Sequence, residues 1–295
     1  MGQVMEVRNI SKSIQETEVL CDVSFSIAPG TITGIVGRNG VGKTSLLKTM
    51  VDIFRPDEGE VRVKGESIQI NPSAKQHVIF VSDVTEAFKN ESVDHIVSFY
   101  REVYPSFDHA YFEELMARFD LEKIQQVKKY SKGRKALFAL ILAFATRADF
   151  VLLDEPTDGL DVIVKRQMMQ FMVEAVAEND ISILIATHRL DELETLADQI
   201  IMLKDGQVEA RYELESVKMQ YQKMQIVYAE QMPEEVIEKV NILQQSGRVY
   251  VCFIARADNE TKQAVEKSGP LLIEELPMSL EDLFIAKLGG DRFAT

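Results

Sequence analysis

The segment GRNGVGKTS, residues 37–45, combines three glycines with a lysine and two hydroxyl side chains. It matches the phosphate-binding pattern G-x-x-x-x-G-K-[ST], with a strand-like run before it and a helical pattern after it. Glycines let the backbone approach an anion closely, and the N–H groups at a helix start attract negative charge. We therefore predict a phosphate site formed by Gly37, Arg38, Asn39, Gly40, Val41, Gly42, Lys43, Thr44 and Ser45.

A second segment, FVLLDEP at residues 150–156, has the groups that a bound nucleoside triphosphate would need. Four apolar residues predict a buried strand, and Asp154 at its end can hold Mg²⁺ together with Thr44. Glu155 follows directly and can polarise an attacking water. Because Lys43 can contact the β- and γ-phosphates, the two segments together predict triphosphate hydrolysis with Mg²⁺ as cofactor.

Strand-like and helical patterns alternate along the chain, which predicts the α/β fold class with a mainly parallel sheet covered by helices. The early strands have few helices between them, so we also expect an added antiparallel β layer. One helix is predicted at 133–146, beginning at Gly133. From about residue 213 the patterns weaken, and we interpret 213–295 as a small α/β appendage. It includes a predicted helix near 233–244 and a last helix that begins with the capping box Ser279 and Asp282.

Composition excludes several classes of protein. With 47 acidic and 33 basic residues the formal net charge is −14, which argues against a general nucleic-acid-binding surface. The most apolar stretch, 136–146, is much shorter than the roughly 20 residues of a membrane span. The N-terminus lacks both the cationic region and the apolar region that together make a secretory signal. The two cysteines indicate neither a metal site nor a disulfide framework.

The order of the phosphate loop, YSKGRK, FVLLDEPTDGLD and ATHRLDE resembles the ATP-binding cassette (ABC) ATPases of membrane transporters, over roughly residues 3–212. The resemblance implies a P-loop NTPase core in an ATPase domain at 1–212, with a helical subdomain at about 85–146. It also implies that ATP is the nucleotide. Asp154 and Glu155 fall on the family's Walker B aspartate and catalytic glutamate, and His188 on the switch histidine that contacts the γ-phosphate.

The resemblance also assigns residues that would act on a second chain. YSKGR aligns with the family's signature LSGGQ, in which Ser131 and Gly133 are kept, and Gly159-Leu160-Asp161 matches the D-loop. In this family the signature caps the ATP on the partner subunit's P-loop, so two ATPase subunits, identical or different, would pair head to tail. Lys132 and Arg134 depart from the signature; they either add positive charge near the phosphate or are solvated residues at a helix start.

Two further positions depart from the family's pattern. Ile14 stands where the family usually has an aromatic residue that stacks on adenine, so we expect shallow recognition of the base. Asp83 appears where a glutamine normally follows the strand HVIFVS. An aspartate at this position could reach Mg²⁺ or its waters, and we include Asp83 among the expected metal ligands.

The function that the resemblance implies is an ATPase subunit of an ABC transporter. It would bind an integral membrane permease and lie in the cytoplasm at the inner face of the cell membrane. The sequence patterns of the helical subdomain and the appendage resemble those of bacterial exporter-type ATPases. The alternative is an ABC ATPase that acts on ribosomes, DNA or cluster assembly. The single P-loop and the acidic charge disfavour the first two, whereas a scaffold ATPase of cluster assembly stays open.

Overall fold

A six-stranded sheet positions the phosphate loop and the segment that contains Asp154 and Glu155. The computed structural model describes residues 4–82 and 87–288, so Asp83 lies outside the described residues. The chain divides into two compact units, one of Met1–His188 with Leu196–Arg211 and the other of Arg189–Thr195 with Tyr212–Thr295.

The six strands run in the order β10-β9-β3-β8-β7-β6, and the pairs from β9 to β6 are parallel. The central strands β3, β7 and β8 are rich in Ile, Val and Leu and are buried on both faces, as expected for a parallel sheet covered by helices. The predicted α/β class with a mainly parallel sheet is confirmed. The strands are β3 (Ile32–Val36), β6 (Val78–Val81), β7 (Phe150–Asp154), β8 (Ser182–Thr187), β9 (Gln199–Lys204) and β10 (Gln207–Glu213).

A four-stranded antiparallel sheet, in the order β2-β1-β4-β5, forms the expected added layer. Alternate residues of its strands point into a core shared with β3, β7 and the helix after the phosphate loop. The strands are β1 (Met5–Ile14), β2 (Thr17–Ile27), β4 (Glu58–Val63) and β5 (Glu66–Ser67).

Where the structure describes the first unit, its helices are α1 (Lys43–Met50), α2 (Val93–Val103), α3 (His109–Arg118), α4 (Lys132–Ala145) and α5 (Val162–Asn179). Helix α6 (Leu190–Leu196) belongs to the second unit except for its last residue. Helix α4 begins one residue earlier than predicted, because the Ser131 side chain accepts a hydrogen bond from the Arg134 N–H and acts as the N-cap. Gly133 is therefore its second residue. Among the described residues, no helix is long and apolar enough to cross a membrane.

The second unit has the topology βαββαβ. Strands β11 (Tyr221–Val227), β12 (Asn241–Ser246), β13 (Val249–Ala255) and β14 (Leu272–Leu276) form an antiparallel sheet in the order β12-β13-β11-β14. This is the split βαβ arrangement of ferredoxin-like folds. Helices α8 (Glu234–Ile237) and α9 (Asn259–Lys267) connect the strands, α7 (Leu214–Gln220) precedes them and α10 (Leu280–Leu288) follows.

Two predictions for this unit have different outcomes. The helix expected at 233–244 is wrong beyond Ile237, because 241–246 pair with β13 as a strand. The capping box at α10 is confirmed: the backbone N–H of Ser279 donates to Asp282 at 2.8 Å, and the N–H of Asp282 donates to the Ser279 hydroxyl at 3.2 Å.

Candidate nucleotide site

The phosphate loop links the end of β3 to the start of α1, and its backbone leaves no room for side chains at two glycines. A Cβ at Gly37 would lie 2.5 Å from the carbonyl oxygen of Leu203, and one at Gly42 would lie 2.6 Å from that of Val19. Gly42 also has a φ of +104°, which side chains rarely permit. The fold around this loop therefore allows only glycine at positions 37 and 42, where the motif also requires glycine.

The first turn of α1 has the character of an anion site. Gly42 occupies the N-cap position without a side chain that could accept from the helix, and the first turn holds no acidic residue. The N–H groups of this turn are thus left to an external acceptor. Residues 38–40 are exposed, which leaves the loop open to a ligand.

Lys43 lies beneath this loop. Its ammonium is buried and donates to the carbonyl oxygens of Gly37 at 2.7 Å and Arg38 at 3.3 Å. Burial lowers the pKa of Lys43, while the charges of Glu155 and Asp154 oppose that shift. Lys43 is therefore held between the phosphate loop and the carboxylates of Asp154 and Glu155. A cation at this place would neutralise the β- and γ-phosphates of a bound triphosphate.

Asp154 ends β7 and lies within reach of α1. Burial raises the pKa of its carboxyl, and a hydrogen bond from the Thr44 hydroxyl opposes that shift. Its Oδ1 is buried and has no hydrogen-bond partner among the described residues. A buried oxygen of this kind, beside a hydroxyl, fits Mg²⁺, which binds a few protein oxygens and completes its shell with water and phosphate.

No cluster of three or more His, Cys, Asp and Glu side chains suited to a metal exists in 4–82 and 87–288. A site of one carboxylate and one hydroxyl agrees with Mg²⁺ bound together with a phosphate rather than with an all-protein metal site. Asp83, the third expected ligand, lies outside the described residues.

Glu155 is held by the end of β8. Its backbone N–H donates to the Ala186 carbonyl at 2.9 Å, and its carboxylate accepts from the Thr187 hydroxyl at 2.9 Å. Its Oε1 lies 2.9 Å from Nδ1 of His188. The structure thus brings together the predicted base and the predicted switch histidine. It adds Thr187, which sequence reasoning missed although this residue directly precedes His188.

The signature and D-loop residues lie at the starts of α4 and α5. Ser131 caps α4, and Asp161 caps α5 by accepting from the backbone N–H groups of Ile163 and Val164, both at 3.0 Å. The two helix starts are in contact, since a Cβ at Gly133 would lie 3.0 Å from the side chain of Val164. The segments that resemble the signature and the D-loop thus lie side by side at the starts of α4 and α5.

A cavity of about 580 Å³ connects the start of α4 with the end of β7. Asp154, Glu155, Asp158 and the lysines Lys132 and Lys135 are among the residues that line it. The Lys132 ammonium lies so close to Gly159 that a Cβ there would collide with it. Lys132 is thus exposed but bent towards the D-loop.

Comparisons with known proteins agree with this geometry. The family model described as ABC transporter matches residues 20–158. The ABC transporter ATP-binding protein YtrB of Bacillus subtilis is 36% identical over 290 residues, which cover 98% of this chain and 99% of that protein. The bacitracin transport ATP-binding protein BcrA of Enterococcus faecalis is 25% identical, with 100% and 99% covered. A solved ATP-binding subunit of an ABC transporter shares the fold with a TM-score of 0.66 and 24% identity, over 73% of this chain and 92% of that chain.

Proposed function

Because the chain belongs to the ABC transporter family as an ATPase subunit, we propose that two chains share each ATP site and drive a separate integral membrane permease. Residues 1–212 form the ATPase domain in this proposal, and 213–295 form its appendage. The observation that carries the hydrolysis step is that Thr187 and His188 hold the Glu155 carboxylate by hydrogen bonds. The pairing of two chains and the permease rest on membership of the family.

Within one chain, the phosphate loop and the first turn of α1 bind the phosphates, and Lys43 supplies the cation between them. Thr44 and Asp154 would hold Mg²⁺, which neutralises charge on the phosphate oxygens. Glu155 accepts a proton from the attacking water. The water oxygen bonds to the γ-phosphorus, the bond from that phosphorus to its bridging oxygen breaks, and ADP and inorganic phosphate leave.

The other half of the site comes from the second ATPase subunit, identical or different, which pairs head to tail. Ser131 can donate its hydroxyl to the γ-phosphate of the opposite chain, because a hydroxyl that accepts as an N-cap still has its own proton to give. Gly133 lies in the first turn of α4, whose N-terminus would point at that anion. That γ-phosphate is also contacted by His188 of the chain whose phosphate loop holds the ATP. Asp161 lies at the start of α5, next to the signature residues of its own chain.

We propose export as the direction of transport, at the cytoplasmic face of the cell membrane. The support is the likeness along the full chain to BcrA, a bacitracin transport protein. The substrate would be chosen by the permease. Purification of the tagged chain from membranes tests this: an integral membrane protein that co-purifies in a fixed ratio is expected, whereas a ribosome or a soluble assembly complex would contradict it.

The shared site is tested with Glu155→Gln, which keeps the shape and hydrogen bonding of Glu155 but cannot accept the proton at neutral pH. We expect hydrolysis to fall by about 10²–10⁴-fold, the usual contribution of a general base. All phosphate contacts remain, so the purified variant should shift from monomer to dimer on a sizing column when ATP and Mg²⁺ are added.

Adding Ser131→Arg to that variant is expected to abolish the shift, because the new side chain would occupy the place of the partner's phosphate. Native turnover in Glu155→Gln would remove Glu155 from its role. An inactive variant that stays monomeric at high ATP would leave the base in place and exclude the shared site for the isolated chain.

A further inference from the structure

Thr187 is the last residue of β8 and stands in the segment ATHRLDE, where the resemblance gives a role to His188 and none to Thr187. Its side chain is almost fully buried, with 1% of its surface exposed. Its hydroxyl donates to Oε2 of Glu155 at 2.9 Å. Because β-branching restricts rotation about χ1 and the side chain is packed in the sheet, this hydroxyl has little freedom to leave the carboxylate.

Glu155 needs such support because its backbone is unusual. Its φ is +46°, in the left-handed region that non-glycine residues seldom adopt. Such a conformation persists only where its surroundings hold it. Here the N–H donates to Ala186, which also pairs with Asp154 in the parallel register, and the side chain bonds to the next residue of the same strand.

The two side-chain partners of Glu155 differ in their freedom to move. His188 exposes 45% of its side chain and faces solvent, whereas Thr187 is packed in the sheet. A histidine that turns towards a γ-phosphate gives up its bond to Oε1 of Glu155. The Thr187 hydroxyl is bonded to the other oxygen, Oε2, so that bond does not depend on His188. Each oxygen of an ionised carboxylate also has a second lone pair that can accept from a water.

We infer that Thr187 is a positioning residue for ATP hydrolysis, which holds the Glu155 carboxylate towards the attacking water while His188 contacts the phosphate. The inference rests on the proposed role of Glu155 as the base. Thr187 does not touch the nucleotide in this account, and its effect on the reaction passes entirely through Glu155.

Thr187→Val removes the hydroxyl and keeps the shape of the side chain. We expect kcat to fall about 10-fold or more, the range that follows from losing one hydrogen bond to a charged group. The KM for ATP should not change, because the phosphate loop is intact. Thr187→Ser keeps the hydroxyl and should restore most of the turnover.

Thr33→Val is the matched control. Thr33 is fully buried in β3 of the same sheet, and its hydroxyl has no hydrogen-bond partner among the described residues. The same chemical change there should leave kcat unaltered. If Thr187→Ser loses as much turnover as Thr187→Val, the methyl packing matters rather than the hydroxyl, and the inference is wrong.

A double-mutant cycle separates this inference from the proposed base. In the Glu155→Gln background, Thr187→Val should cause no further loss, because the group through which it acts is already disabled. If Thr187→Val lowers kcat in this background by the same factor as in the native chain, Thr187 acts through a group other than Glu155. If Glu155→Gln is inactive while Thr187→Val turns over at the native rate, only the role of Thr187 fails. If Glu155→Gln itself is fully active, the proposed base fails first.

Discussion

The start of α1 and the starts of α4 and α5 all belong to the proposed ATP site, yet they are built differently. Helix α1 begins at Gly42 without a side-chain cap. Helix α4 is capped by the Ser131 hydroxyl and α5 by the Asp161 carboxylate, each within its own chain. A side-chain cap stabilises a helix by about 0.5–2 kcal/mol. The first helix start is therefore incomplete until an anion binds, whereas the other two are stable without one.

The difference separates the two halves of the proposed shared site. The phosphate loop is ready for a ligand within a single chain, whereas the signature surface can stay folded until a partner's phosphate arrives. Ser131 suits that role because its hydroxyl can cap and donate at once. Asp161 does not, since an ionised carboxylate has no proton to donate to a phosphate oxygen. We expect the contribution of Asp161 to be the placement of α5 rather than a direct bond to ATP.

The largest expected effect on ATP binding comes from removing the Lys43 cation of the phosphate-loop half. Lys43→Ala should raise the Kd for ATP by about 10–150-fold, which corresponds to 1.5–3 kcal/mol for a charge-assisted hydrogen bond. Isothermal calorimetry measures this. Lys75→Ala removes one positive charge from an exposed ion pair with Asp52 and should leave the affinity unchanged. Equal affinity in both variants would contradict the assigned phosphate loop.

Ser131→Asp tests the signature half. Aspartate is as good an N-cap as serine, so the free energy of unfolding should change by less than about 0.5 kcal/mol. Its charge would repel the partner's γ-phosphate, and the ATP-dependent dimer of the Glu155→Gln variant should be lost. Ser131→Thr keeps both the cap and the hydroxyl and should still dimerise. A dimer that persists in Ser131→Asp would show that this helix start does not face a phosphate.

The smallest effect is expected at Ile14, where the phosphate-loop half would contact the adenine base of ATP. Ile14 lies half-buried at the end of β1, opposite Thr17. Ile14→Tyr should tighten ATP binding by about 0.5–1.5 kcal/mol, the contribution of an added aromatic contact. Ile14→Leu is the control without a ring and should bind like the native chain. In the native chain GTP should compete well with ATP, and a strong native preference for ATP would show that another aromatic residue stacks on the base.

Local chemistry in the sequence determined much of this protein. The phosphate loop, the strand ending in Asp154 and Glu155, and the capping box at Ser279 are short patterns whose physical requirements lie within a few residues. The backbone confirms those requirements, since Gly37 and Gly42 occupy places that no side chain could fill. The alternation of strands and helices likewise sufficed for the α/β class, because the pattern of burial is periodic along the chain.

Tertiary structure decided the rest. Residues 241–246 continue a helical pattern, yet pairing with β13 makes them a strand, and hydrogen bonds to a strand later in the chain outweigh local preference. The bond from Thr187 to Glu155 joins the last residue of β8 to the residue that directly follows β7, 32 positions apart in the chain. No local pattern could indicate it, because parallel strands bring their carboxyl ends together only after the sheet has formed.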